Sequence, residues 1–149
     1  NVRTEYACDE EGRPIHAALH LENRPFLKEG GLRPDTWGAQ TVEHLPTPDH
    51  EIVKDFSFSS FFRTDLEPLL RQLRIKTLVL TGIYTNYCVQ STAMDAYQRN
   101  FRVAVIHDLV TAWDKDVELG SLKTLSGFAH VIKSSEALHL LENEGRNSR

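Results

Sequence analysis

"KTLVLTGIYTNYCVQSTAMDAYQRNFRVAVIHD", residues 76–108, decides the fold. It opens on Lys76 to Gly82, nearly all apolar and β-branched, the composition of a strand covered on both faces. Residues 86–100 then read as a helix, with Asn86 placed as its N-cap. Residues 102–108 form a second buried strand. Between the first strand and the helix the chain turns sharply, and Cys88 stands at that turn.

The same alternation continues on either side. "HEIVKDF" (50–56) is a short strand, and "TDLEPLLRQLR" (64–74) is a helix with Thr64 and Glu67 spaced as a capping box. A helix over 114–126, a strand over 129–133 and a helix over 134–144, capped by Ser134 or Ser135, complete the pattern. Strands alternating with helices predict an α/β fold, a three-layer α-β-α arrangement on a Rossmann-like open parallel sheet, as one domain over 1–149. Residues 7–48 carry five of the six prolines and read as loop, with one short helix around 37–45. The chain starts at Asn1 without an initiator methionine and reads as the tail of a strand, so a preceding segment is expected.

Composition narrows the function. The 149 residues are 40% hydrophobic and 26% charged, ordinary for a globular protein. A net charge of −4 gives no electrostatic footprint for nucleic acid or an anionic membrane. No apolar run approaches the roughly 20 residues of a membrane span, and no signal-peptide pattern occurs. Cys8 and Cys88 make no disulfide framework, which suits a reducing cytoplasm.

In an open parallel sheet, ligands bind beyond the carboxyl ends of the strands, which is where 81–88 falls. A thiol at a helix start faces the positive end of the helix dipole and unpaired N–H groups, which favour a thiolate and an oxyanion. Cys88 is therefore either a nucleophile or a small core residue. Lys54, near the end of its strand, either points into a site or faces solvent as edge lysines do. His16 and His20 have i, i+4 spacing, but Gly12 and Pro14 indicate loop and no further metal-ligand pattern accompanies them. No G-x-G-x-x-G or Walker loop is present.

The stretch "VKDFSFSSFFRTDLEPLLRQLRIKTLVLTGIYTNYCVQSTAMDAYQRNFRVAVIHD" resembles the isochorismatase-like cysteine hydrolases, a superfamily that includes nicotinamidases and N-carbamoylsarcosine, ureidoacrylate and biuret hydrolases. The resemblance covers about residues 37 to 140. It rests on a Lys-then-Ser-x-Phe stretch, an apolar strand with Thr-Gly, and an x-Thr-x-x-Cys-Val helix start. It implies Cys88 as nucleophile, Lys54 as the triad lysine, the Tyr84 and Cys88 N–H groups as oxyanion hole, and a cis Ile83–Tyr84 peptide. It also implies an aspartate at the end of a first strand, in an Asp-x-Gln run. No such run occurs, and Asp9 is the earliest acid outside the strand-like start. The expectation is that this chain begins near the family's second strand, and that as given it is a poor catalyst.

Cys88 argues for amide, carbamoyl or ureido substrates cleaved through a thioester, since isochorismatases proper usually lack the cysteine. The Asp-x-His…His metal site of many nicotinamidases is not reproduced, so no metal and no cofactor are expected. Trp37, Phe61, Tyr84 and Tyr87 are aromatic candidates for lining a pocket for a small planar ligand. A homo-oligomer, dimer or tetramer, is expected. The competing readings are a binding or assembly protein that kept the fold without the chemistry, and a nucleotide-binding doubly wound domain.

Overall fold

The computed structural model describes residues 1–15, 18–25, 31–46 and 48–147. They fall into two compact units, Asn1–Leu66 and Glu67–Arg149.

In the first unit β1 (Val2–Thr4) pairs in parallel with β2 (Ile52–Lys54), Val2 opposite Ile52 and Thr4 opposite Lys54. The Glu5 N–H extends the ladder to the Lys54 carbonyl at 2.9 Å. Helix α1 (Ala18–Asn23) occupies part of the region expected to be loop. It forms because Leu21 can bury against Tyr6, with Cys8, Leu32 and Phe56 packed around the pair. The helix expected over 37–45 is only a 3₁₀ turn, Trp37–Ala39, because Gln40 returns to extended backbone.

The second unit holds α2 (beginning at Leu66, the last residue of the first unit, and running to Gln72), β3 (Thr77–Ile83), a π-helical turn (Thr85–Val89), α3 (Gln90–Gln98), β4 (Arg102–Thr111), α4 (Lys115–Leu125), β5 (His130–Ile132) and α5 (Ser134–Asn147). The sheet is parallel in the order β3-β4-β5, and α3, α4 and α5 all contact β4. Val103, Val105 and Ile106 of β4 are at most 2% exposed, as β-branched residues of a central strand should be. Ala93 and Ala96, both fully buried, leave α3 without bulk on its inner side. Leu125 of α4 is also fully buried. After α3, Asn100 takes a left-handed conformation and the Phe101 N–H returns to the Ala96 carbonyl at 3.0 Å, a helix stop that Asn tolerates well.

Four local expectations are corrected. β3 is not covered on both faces, since Val79 is 50% and Ile83 61% exposed, and among the described residues it pairs with β4 alone. In place of a capping box, Thr64 accepts the Leu66 N–H at 3.3 Å, while Glu67 turns its carboxylate to Arg71 (3.2 Å) and Arg99 (2.9 Å). Ser134 does not cap α5 by accepting; its hydroxyl and N–H both donate to Asp108, at 2.6 and 2.8 Å. Nor is Asn86 an N-cap, because it lies inside the π-helical turn, whose cap position is Tyr84.

Candidate active site

Between Leu80 and Gly82 the register of β3 against β4 shifts: Leu80 faces Val105, but Gly82 faces Val110 and Ile83 faces Thr111. Gly82 has φ +108°, a conformation that L side chains rarely adopt. The next peptide but one, Ile83–Tyr84, is cis. The chain then widens. The Tyr84 carbonyl accepts the N–H groups of Tyr87 (3.1 Å) and Val89 (3.2 Å), and no bond joins it to the Cys88 N–H between them. Cys88 is half-buried on this turn, flanked by the buried Val89.

The Tyr84 N–H makes no backbone hydrogen bond among the described residues. Thr85 is fully buried, and its hydroxyl and the Asn86 side-chain oxygen have no partner among the described residues. Buried polar atoms are nearly always paired. Two such atoms on one turn are therefore uncommon.

Aromatic rings border the turn. Trp113, between the end of β4 and the first residue of α4, places its ring centroid 4.6 Å from Tyr84 and 5.5 Å from Tyr87, tilted at 55° and 58°. The sequence reading missed Trp113. The rule that strand carboxyl ends carry sites, applied to the second buried strand as well as the first, would have found it. Its segment is fastened by Glu118, 6% exposed, which accepts the Ala112 N–H and the Thr111 hydroxyl, each at 3.3 Å, and pairs with Lys115. The Lys115 ammonium leads the groups that hold the Glu118 carboxyl below the usual carboxylate range. Asp114 caps α4 by accepting the Val117 N–H at 2.9 Å.

In the first unit Lys54 is not a solvent-facing edge lysine. It is 5% exposed, and its ammonium donates to the Ser57 carbonyl. His20 packs among Tyr6, Phe56 and Phe58, with centroids about 6 Å apart. Burial lowers its pKa, with the Arg24 and Lys54 charges adding to the shift. His16, the other half of the i, i+4 pair, lies outside the described residues. Phe61 is buried at 6%, whereas Trp37 stands out at 86% exposure. Asp9 is fully engaged: one carboxylate oxygen accepts the Arg13 N–H (2.8 Å) and the Glu11 N–H (3.1 Å), and the other accepts Arg13 Nε at 2.8 Å. The Arg13 N–H is the largest of the contributions that lower its pKa. An open polar hollow in this unit, about 280 Å³, is edged by Arg3, Glu5 and Glu51, which are already joined as ion pairs.

Comparison with known proteins supplies the frame for this geometry. Residues 7–136 match the isochorismatase domain model, across both units. The ureidoacrylate amidohydrolase RutB of Methylorubrum extorquens is 34% identical over 115 residues, which are 76% of this chain and 46% of that protein. The chain thus spans about half the length of the curated relatives it matches. Among solved structures, an isochorismatase-like hydrolase from Alkaliphilus metalliredigens superimposes with a TM-score of 0.74 at 28% identity, over 94% of this chain and 71% of that one. An N-carbamoylsarcosine amidase from Thermoplasma acidophilum gives 0.65 at 26% identity, over 89% and 70%. With parallel sheets, flanking helices and a family match over most of its length, the chain belongs to the isochorismatase family.

Proposed function

We propose that the protein is a cysteine-dependent hydrolase of a small amide, carbamoyl or ureido compound. The observation that carries the reading is the turn at Cys88, where the Tyr84 carbonyl bonds to the N–H groups on either side and leaves that of Cys88 out. The Cys88 sulfur attacks the carbonyl carbon, and the resulting oxyanion takes hydrogen bonds from the Tyr84 and Cys88 N–H groups. Collapse of that intermediate expels ammonia or an amine, which gains its proton from a general acid, and leaves a thioester. Water then cleaves the thioester, giving the acid and the free thiol. The buried ammonium of Lys54 is assigned the role of electrostatic support.

The general acid and base is assigned to an aspartate by the family pattern. Asp9 is a poor stand-in, because a carboxylate held by two backbone N–H groups and an arginine is a weakened base. The relatives named above as amidohydrolase and amidase support the substrate class. No metal or cofactor enters any step of this scheme. The cytoplasm is the proposed compartment, and no helix among the described residues is long and apolar enough to cross a membrane. A homo-oligomer is the proposed assembly, supported by the exposed apolar residues of β3.

The test is ammonia release from a panel of nicotinamide, carbamoyl and ureido compounds, with mass spectrometry of the quenched protein. Turnover with an acyl adduct on the Cys88 peptide, both lost in Cys88→Ala, is the expected result. Turnover that survives Cys88→Ala refutes the mechanism. Ligand binding with neither ammonia nor adduct favours the assembly reading instead.

A further inference from the structure

We propose that Trp113 selects the substrate at Cys88, its indole completing an aromatic wall that favours a flat, conjugated acyl or ureido group over a compact saturated one. This rests on the reading of Cys88 as the nucleophile. Tyr84 and Tyr87 lie four residues and one residue before Cys88, and Trp113 is the ring that meets both, at 4.6 and 5.5 Å. All three rings stay partly open to solvent; Trp113 is 59% exposed and Tyr84 36%. The neighbouring core closes without them, on Val105, Ile106 and Leu125, each 2% exposed or less. Aromatic bulk left outside a closed core, against the turn of the nucleophile, is placed to contact a ligand.

The backbone that carries the ring is also held in place. Pairing of Ile83 with Thr111 brings the end of β4 alongside the Ile83–Tyr84 peptide. Glu118 fastens Thr111 and Ala112 on one side of Trp113, and Asp114 anchors the other side to α4. A ring on a fastened backbone segment, packed against two further rings, has less freedom to lose when a planar group stacks on it, so more of the contact energy goes into discrimination.

The experiment compares two haloacetamides with the same reactive carbon, iodoacetamide and its flat N-phenyl derivative, on the whole protein. Peptide mapping separates Cys88 from Cys8. Stacking of one ring on another is worth a factor of roughly two to ten in rate. Trp113→Ala should slow the N-phenyl reagent at Cys88 by that factor and change iodoacetamide less than twofold. Trp113→Phe, which keeps a flat ring, should retain most of the preference. An unchanged ratio of the two rates in Trp113→Ala, or an equal fall for both reagents, overturns the proposal and leaves the cysteine reading intact. A wild-type Cys88 inert to both reagents overturns the two together.

Discussion

Replacing Gly82 by alanine isolates one physical term. A Cβ built there meets nothing within 4 Å, so no clash contributes and the effect is that of backbone conformation alone. At φ +108° an L residue is strained by about 1–3 kcal/mol. The unfolded chain also loses entropy on Gly→Ala, which returns about 0.4–1 kcal/mol to the folded state. Gly82→Ala should therefore destabilise by up to about 2.6 kcal/mol, the difference of those terms, with the middle of the two ranges giving roughly 1.3 kcal/mol. Gly120 is the control: it lies within α4, also has open space around its Cβ position, and has no positive φ. Gly120→Ala should stabilise by about 0.5–1 kcal/mol. The assay is equilibrium unfolding in urea, in a Trp37→Phe background. Of the two tryptophans Trp37 lies in the first unit and Trp113 in the second, so the remaining fluorescence reports the unit that carries both glycines. A Gly82→Ala protein as stable as its parent, or a Gly120→Ala protein less stable, would refute the reasoning.

Asp108 should make the second unit acid-sensitive. Its hydrogen bonds from Ser134 hold its pKa below the usual carboxylate value, so the stabilisation is complete above the unfolded pKa and is lost as pH falls through the lowered one. Asp108→Asn should cost stability at neutral pH, and the gap between variant and parent in urea midpoint should close as pH falls below the ordinary carboxylate range; a gap independent of pH contradicts the assignment. At micromolar concentration the protein should sediment as more than a monomer through the exposed edge of β3. Val79→Lys, which puts a charge on that edge, should shift it towards monomer, and an unchanged sedimentation profile would mean that β3 is not the interface.

Strand and helix order was legible because composition writes it locally. Val103, Val105 and Ile106 could scarcely be anything but a buried strand. Exposure was not, because the run Thr77 to Leu80 reads the same whether one neighbour or two pair with it; an apolar run does not count partners. Helix starts failed for a related reason. Asn86 and Ser134 are both fitted to cap, yet the Tyr84 carbonyl widens one start and Asp108, distant in sequence, takes over the other. Cys88 was proposed from its place after a strand, and Lys54 from resemblance. The tryptophan against Tyr84 and Tyr87 lay one strand further along, outside any local pattern.

The shifted pairing of β4 also constrains how this gene can change length. From Leu80 to Gly82 β3 advances two residues, while β4 advances five, from Val105 to Val110, so the surplus is three. An odd surplus reverses the alternation of faces along β4 relative to its partner. Beyond the shift Val110 is buried and the Thr111 hydroxyl donates to Glu118. Codons in the stretch 106–109 are therefore counted in pairs: two residues gained or lost keep Val110 and Thr111 on their faces, and one exchanges them. A change of length that keeps the strand regular here is therefore tolerated best in even numbers, a periodicity set by the pleat of the sheet.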